Sequence, residues 1–320
     1  MPTRPDAPAR PGVFHVPVLL EAVLELLGNA RTVLDCTLGG GGHSAALLEH
    51  GARVTGIDRD PRALATARAR LAEAERAGRF RALLGNYADV AAAGLAAAER
   101  FDGILLDLGV SSHQFDDPGR GFTFRVGAPL DMRMGDDAAL DAGGLLNTID
   151  EVDLSALLRN FADEPRAARL AREIVHRRAR RPFATADDLV DAIRAVLGPR
   201  SGPSDFARIF QAVRIAVNDE LAGLERALPA LRDRLEPDGV LAIISYHSGE
   251  DRLVKHAFRA WSTACTCPPR QPLCTCGGVA LGEVLTRRAI VAEEAEVRDN
   301  PRARSAKLRG FRRATAPALA

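Results

Sequence analysis

Short apolar runs that close on an acidic or polar residue alternate with Ala-, Leu- and Arg-rich stretches along the first third of the chain. Residues 32–35 end on Asp35 and run into Gly39 to Gly42; residues 53–58 end on Asp58; residues 80–86 precede Tyr87; residues 103–109 carry Asp107 near their end. Continuous apolar runs of this length, bounded by turn signals, read as strands covered on both faces. Between them, residues 44–50 can supply a helix. Asp60 as N-cap with Pro61 at the first helical position opens another, which strong helix formers continue from residue 63 to 77. The alternation predicts an α/β protein with an open parallel sheet. In such a sheet the carboxyl ends of the strands line the ligand crevice, so Asp35, Asp58, Tyr87 and Asp107 should converge there.

The strand–helix rhythm stops after Gln114 and resumes near residues 239–245, with a helix over about 218–234 leading back in. Residues 115–150 are Gly- and Asp-rich and read as loops. Residues 154–160 and 164–180 read as helices, and Thr185 with Asp188 forms a capping box that opens a third. The pattern predicts a two-part core, residues 1–115 and 218–297, interrupted by a mainly helical insert at 116–217 that lies over the crevice and selects the substrate, followed by a basic tail at 298–320. No internal repeat is apparent, and the two termini read as disordered.

Composition changes this picture little. A chain of 320 residues with 47% hydrophobic content can bury a large core and is long enough for two domains, and its net charge of +1 exerts no global pull toward nucleic acid. Residues 1–12 lack an apolar signal region, and Glu21 and Glu25 break the apolar run 16–27, so neither secretion nor membrane insertion is expected and the protein reads as cytoplasmic. Charge clustering is more informative. Arg166, Arg169, Arg172, His176, Arg177, Arg178, Arg180 and Arg181 crowd one helix and its exit, and Arg298, Arg302, Arg304, Lys307, Arg309, Arg312 and Arg313 crowd the C-terminus. Each cluster could neutralise several phosphates; a solvated helix face is the alternative for the first. Of the 43 basic residues only Lys255 and Lys307 are lysine, so arginine identity carries less weight than the clustering.

Cys265, Cys267, Cys274 and Cys276 form a C-x-C…C-x-C set around a Pro-rich loop, which in a cytoplasmic protein points to metal, with tetrahedral zinc the reasonable ion, or to free thiols. The spacing is tighter than the common C-x₂-C knuckle. Cys36 reads as a small buried hydrophobe.

Four consecutive glycines between a strand and a helix let main-chain N–H groups and a helix N-terminus face a ligand, unless they only build a tight surface turn. Asp58 follows the first glycine by about 20 residues, where a ribose-binding acid belongs. A dinucleotide fingerprint requires G-x-G-x-x-G, yet counting from Gly39 the last position is Ser44, and in the register two residues earlier Thr37 stands first. Neither register fits. Asp35 would also repel a pyrophosphate, whereas a crevice rich in carboxylates suits the sulfonium and ammonium of S-adenosylmethionine.

Longer motifs then carry a resemblance. His15-Val-Pro-Val-Leu-Leu-Glu21, residues 35–43, Asp102-Gly-Ile-Leu-Leu-Asp-Leu-Gly-Val-Ser-Ser-His-Gln114, Arg120-Gly-Phe-Thr-Phe124, Pro129-Leu-Asp-Met-Arg-Met134, residues 208–218 and Asn300-Pro-Arg-Ala-Arg-Ser305 span nearly the whole chain. The chain resembles the RsmH (MraW) family of methyltransferases. The resemblance implies a Rossmann-like class I methyltransferase sheet with an inserted helical domain, S-adenosylmethionine as cofactor, and methylation of the N4 amino group of a cytosine in the decoding region of 16S rRNA. It also implies that Gly41, Gly42, His43, Asp58, Tyr87, Asp107 and Gln114 contact the cofactor. Tyr87 stands where many relatives carry Phe, and Tyr246-His-Ser-Gly249 replaces the usual Phe-His-Ser-Leu.

The lone pair of a cytosine amino group is delocalised into the ring, so an enzyme must accept its hydrogens and let the nitrogen pyramidalise. Related DNA amino-methyltransferases use a Pro-Pro-aromatic loop after the fourth strand; here that place holds Asp107-Leu-Gly-Val-Ser-Ser112. Ser111, Ser112 and the carbonyls after Gly109 are the candidate acceptors, and the serines could equally cap the next turn. The expected substrate is 16S rRNA in the small ribosomal subunit or a late assembly particle. A DNA or protein methyltransferase, a nicotinamide-dependent dehydrogenase and a non-catalytic assembly factor remain the competing readings.

Overall fold

In the computed structural model, which describes residues 17–265, 267, 271 and 278–315, the predicted apolar runs become β1 (Thr32–Asp35), β2 (Arg53–Asp58), β3 (Phe80–Leu84), β4 (Phe101–Asp107) and β5 (Leu235–Ser245), all parallel. Three further strands, β6 (Gly282–Val284), β7 (Ile290–Val291) and β8 (Lys307–Arg313), complete the sheet among the described residues. Its order is β3-β2-β1-β4-β5-β8-β6, with β7 also on β8 and β8 antiparallel to β5. This is a Rossmann-like α/β arrangement. Successive residues of each strand enter opposite cores: Val33 and Leu105 pack with Leu27 and Leu47 on one face, while Leu34, Ile104 and Leu106 pack with Leu224 and Phe258 on the other. Both faces are covered because the period of the side chains is two and helices flank each side.

A third core lies apart from the sheet. Leu146, Leu154, Leu170, Ile174, Ile193 and Ile209 unite the helices Ala142–Thr148, Glu151–Ala162, Ala167–Arg178, Ala186–Leu197 and Pro203–Val217. The capping box of Thr185 and Asp188 is formed. Residues 115–150 differ from the loop expectation: the helix Ser112–Asp116 runs into them, and Ala142–Thr148 is helical despite Gly143 and Gly144. A local cap and one contact from Leu130 override that poor propensity. Asp141 accepts the Gly144 N–H, and the Gly143 N–H is bound by the Leu130 carbonyl. The long helix expected over 63–77 also breaks at Leu71 into Pro61–Arg70 and Ala72–Arg76.

The C-terminal stretch is not a tail. Residues 307–313 form β8 inside the sheet, with Leu308 and Phe311 fully buried. No described helix is long and apolar enough to cross a membrane. Cys265 and Cys267 follow the helix Ser248–Trp261, and Cys274 and Cys276 of the four-cysteine set lie outside the described residues.

A polar seam joins the helical layer to the sheet. Asp60 accepts both Gln114 Nε2 (3.0 Å) and Arg120 Nη1 (2.6 Å), and the same two side chains donate to the Met134 carbonyl. Asn218 accepts the Met134 N–H and donates to the Met132 carbonyl. A Cβ on Gly121 would come within 2.5 Å of the Pro129 carbonyl oxygen, so this crossing tolerates no side chain. The motif blocks at 114, 120–121, 132–134 and 218 are therefore the seam between two cores.

Candidate active site

A cavity of about 680 Å³ opens at the carboxyl ends of β1, β2, β4 and β5, and Met134, Arg214 and Asn218 close it from the helical side. The glycine loop reaches it through Gly39. This residue has φ +52°, donates its N–H to Asp58 Oδ2 at 2.7 Å, and would carry a Cβ 3.8 Å from Ser111 Cβ. Backbone thus approaches the cavity closely at Gly39. Gly42 also lines the cavity, and a Cβ there would strike Pro17 at 2.7 Å. Gly41 does not line it. Its φ is +75° and its Cβ position faces Leu71 and Ala67 at 3.1 and 3.3 Å, so it lets the loop pack on the helix Pro61–Arg70.

Two strand-end acids that look alike in sequence part company here. Asp35 is buried, accepting the Ser44 hydroxyl at 2.7 Å and the Thr37 N–H at 3.2 Å, and is absent from the cavity wall. It ties the glycine loop to the following helix, which corrects the expectation that it meets a ligand. Asp58 lines the cavity and accepts the Asp60 N–H at 2.8 Å as well as that of Gly39. Burial pushes its carboxyl up to about 6, against the opposing effect of those two N–H donors.

Asp107 ends β4 with its own N–H bound to Thr37 Oγ1 at 2.6 Å. Its Oδ1 accepts the Tyr246 hydroxyl at 2.7 Å, and Oδ2 lies 3.8 Å from His43 Nδ1. Burial raises the Asp107 carboxyl above its usual range, while His43 and Tyr246 work against it. His43 Nε2 donates to the Val18 carbonyl at 3.0 Å, which fixes the ring with Nδ1 turned toward Asp107. The Tyr246 hydroxyl makes a bond that a Phe in this place could not make. Gly249 has its own reason: a Cβ there would lie 3.1 Å from His247 Nδ1 and 3.3 Å from Leu221. Tyr87 lines the cavity, and burial raises its phenol well above the ordinary value.

Ser111 and Gln114 are bound to each other. The Ser111 N–H donates to Gln114 Oε1 at 3.0 Å, and Ser111 Oγ accepts the Gln114 N–H at 3.3 Å. The turn-capping alternative is therefore what the Ser111 side chain does. Gln114, with both amide hydrogens committed to Asp60 and Met134, holds the wall of the cavity through the seam. The side chain of Ser112 lies outside the described residues.

Arg214, Glu220, His247 and Glu250 were not anticipated. Arg214 donates through Nε and Nη2 to both oxygens of Glu220 at 2.8 and 2.9 Å. Burial opposes its charge, but Glu220 raises its affinity for the proton. Donor atoms of Glu220, His247 and Glu250 lie within 4.8 Å of one another. Since Arg214 occupies Glu220 and the Tyr246 N–H occupies Glu250 Oε2 at 2.8 Å, the two carboxylates already have partners, while His247 Nε2 lies 3.2 Å from Glu250 Oε1. The available signal was the block 208–218, which ends where this network begins.

Of the arginine clusters, the insert keeps Arg169, Arg172, His176 and Arg180 exposed, while Arg178 donates to the Leu146 and Ile149 carbonyls and Arg166 to those of Val196 and Leu197. At the C-terminus Arg309 pairs with Asp251, Arg312 with Glu283, and Arg313 binds the Leu235 carbonyl. The strand part of that second cluster is therefore structural, contrary to the expectation of a basic tail.

Residues 12–314 match the MraW methylase family. The chain is 74% identical over 313 residues to the Ribosomal RNA small subunit methyltransferase H of Gemmatimonas aurantiaca, covering 98% of this chain and 99% of that protein. It is 48% identical to the protein of the same name in Heliobacterium mobile (92% and 97% covered) and 48% identical to that of Anaeromyxobacter sp. strain Fw109-5 (92% and 96%). With the match running through both halves of the sheet, the helical insert and the polar seam, the chain belongs to the MraW methylase family.

Proposed function

We propose that this chain is an S-adenosylmethionine-dependent methyltransferase of small-subunit ribosomal RNA, and that it methylates the N4 amino group of a cytosine in the decoding region of 16S rRNA. The observation that carries the reading is a strand-end cavity, closed by Gly39, Asp58, Tyr87 and Asp107, in a chain 74% identical to a protein named Ribosomal RNA small subunit methyltransferase H.

The residues fit the cofactor. Asp58 uses one lone pair of each oxygen on main-chain N–H groups and keeps the others for two ribose hydroxyls. Tyr87 offers an aromatic face for adenine. Gly39, Gly42 and His43 form the wall for the methionine portion, and Asp107 supplies negative charge for its cationic end. Gly41 and Gln114 act one step removed, by packing the loop and holding the wall. When bound, S-adenosylmethionine supplies an electrophilic methyl group on a sulfonium.

The chain's own task is to prepare the amino nitrogen. An acceptor aimed at its hydrogens favours the geometry in which the lone pair leaves conjugation with the ring. Asp107 Oδ2 fits that role, since Tyr246 immobilises Oδ1 while Oδ2 makes no hydrogen bond among the described residues. Its raised proton affinity suits it to take the proton that nitrogen releases after transfer. Carbonyls after Gly109 are the second acceptors, with Ser111 Oγ, which takes the Gln114 N–H on one lone pair and keeps the other, beside them. Residues 116–217 are proposed as the substrate-recognition unit, their exposed Arg169, Arg172 and Arg180 meeting phosphates. The amino group lies on the Watson–Crick edge, so the target must be unpaired, and a shaped particle presents it better than naked RNA.

The test is methyl transfer from labelled S-adenosylmethionine to purified small subunits and to protein-free 16S rRNA, with mass mapping of the product. The expected result is N4-methylcytidine at one decoding-region position, formed faster on the subunit. A product on another atom or base overturns the specificity, and equal rates on naked rRNA overturn the particle as substrate.

A further inference from the structure

The helix Ser112–Asp116 follows directly from the loop at the end of β4 and carries Phe115 to the cavity wall with its side chain 51% exposed. Arg302, from the turn Pro301–Ser305, lies over this ring with its guanidinium carbon 5.3 Å from the centroid, and its Nη2 donates to Asp116 Oδ1 at 2.7 Å. Its Nη1 is buried and has no hydrogen-bond partner among the described residues. A buried guanidinium N–H left without an acceptor costs free energy, and native structures leave few such groups unless a ligand completes them. Arg302 and Phe115 both line the cavity that Asp107 enters from β4.

We propose that Phe115 and Arg302 form the seat of the target base: the exposed ring of Phe115 stacks on an extruded pyrimidine, and Arg302 Nη1 donates to its acceptor edge. The inference rests on the rRNA cytosine reading above and names the residues that would hold that base. Two features select a neutral carbonyl over an anion. Asp116 already balances the guanidinium charge, so a second carboxylate or phosphate gains less there. An aromatic ring beside the donor suits a flat heterocycle, because every base has a π-face and stacking on an aromatic side chain is a major part of holding an unpaired base. Cytosine carries N3 and the O2 carbonyl along the edge that begins at its amino group, so one donor can read O2 while the amino group points elsewhere. Adenine has no such carbonyl.

Small-subunit methylation by Phe115→Leu, Phe115→Tyr and Arg302→Met tests this, with cofactor affinity measured by calorimetry on the same proteins. Phe115→Leu and Arg302→Met should each lower kcat/KM for the subunit by about 10- to 100-fold, the range set by stacking and donor contacts to a base. The cofactor dissociation constant should stay within about twofold, and Phe115→Tyr, which keeps the ring, should retain most of the wild-type rate. Because the Phe115 ring is exposed, its substitution leaves the fold intact even if Arg302→Met does not. An unchanged kcat/KM in Phe115→Leu overturns the proposal. So does a loss in Arg302→Met matched by an equal loss of cofactor affinity, which would make Arg302 a cofactor ligand. A wild-type protein that methylates no cytosine in the subunit overturns the underlying reading instead.

Discussion

Two arginine-rich stretches of nearly equal density, residues 166–181 and 298–313, end in opposite roles. The first lies on a helix whose other face is buried through Ala167, Leu170, Ala171 and Ile174, so the period of 3.6 leaves Arg169, Arg172 and His176 together in solvent, with Arg180 exposed just beyond the helix end. The second sends Arg302 to the cavity wall and, from Lys307 on, becomes an inner strand. There Arg309 is buried and bound to Asp251 at 2.7 Å, and Arg312 and Arg313 are spent on Glu283 and the Leu235 carbonyl. Clustering of charge along a sequence therefore signals a nucleic-acid surface only when the element carrying it keeps one face free. Even within the first stretch Arg178 and Arg166 serve as caps on main-chain carbonyls.

The largest effect expected of this contrast is on folding. Arg309→Ala removes a buried guanidinium from a half-buried carboxylate. Burial works against the Asp251 charge, but Arg309 and Lys307 hold its carboxyl below the ordinary range, so the pair is made in the folded state. Breaking this pair from one side, with Lys307 still 3.6 Å from Asp251, should cost about 2–3 kcal/mol in denaturant unfolding. A loss under about 1 kcal/mol would return Arg309 to the class of dispensable surface charge.

Asp188 gives a smaller and pH-dependent effect inside the first stretch. It caps the helix Ala186–Leu197 and pairs with Arg181; burial opposes its charge, yet the N–H groups of Ala184 and Thr185 and the Arg181 guanidinium lower it to about 2. A carboxylate held lower in the folded state stabilises above the unfolded value and loses that contribution as pH falls through the folded value. Asp188→Asn should therefore cost about 1–2 kcal/mol at pH 7, and the acid loss between pH 4 and 2 should shrink by a similar amount. Equal acid sensitivity in the variant would show that Asp188 contributes only geometry.

The smallest effect on stability belongs to the open face. Replacing Arg169, Arg172 and Arg180 together by Gln should move the unfolding free energy by no more than about 0.5 kcal/mol. The same variant should lower RNA affinity and reduce the slope of log affinity against log salt by about 2. An unchanged slope would make this face a solvated surface and nothing more.

Much of the fold was legible because hydrophobic period is a local property. Strands β1, β2 and β4, the Asp60 cap with Pro61, and the capping box at Thr185 lie within a few residues of their predicted places. The helix Ala142–Thr148 was not legible, since its two glycines argue against it and contacts from Leu130 and Asp141 hold it. Strand β8 was read as a tail because a strand rich in arginine departs from the apolar pattern of the others. Its positive charges are tolerated by acids on the helix Ser248–Trp261 and on β6, which are distant in sequence.

Within the cavity the same division holds. That a glycine loop follows one strand and an acid closes the next is written in residues 35–58, and the approach of backbone to a ligand follows from it. Which glycine faces the cavity and which packs on a helix, and why Asp58 lines the wall while Asp35 is consumed by Ser44, depended on the neighbours that the fold brings to each. A carboxylate at a strand end has the same local sequence signature in either role. Its function is decided by whether the fold turns its remaining lone pairs toward the cavity, as at Asp58, or shuts them away from it, as at Asp35, and that is a fact of three dimensions.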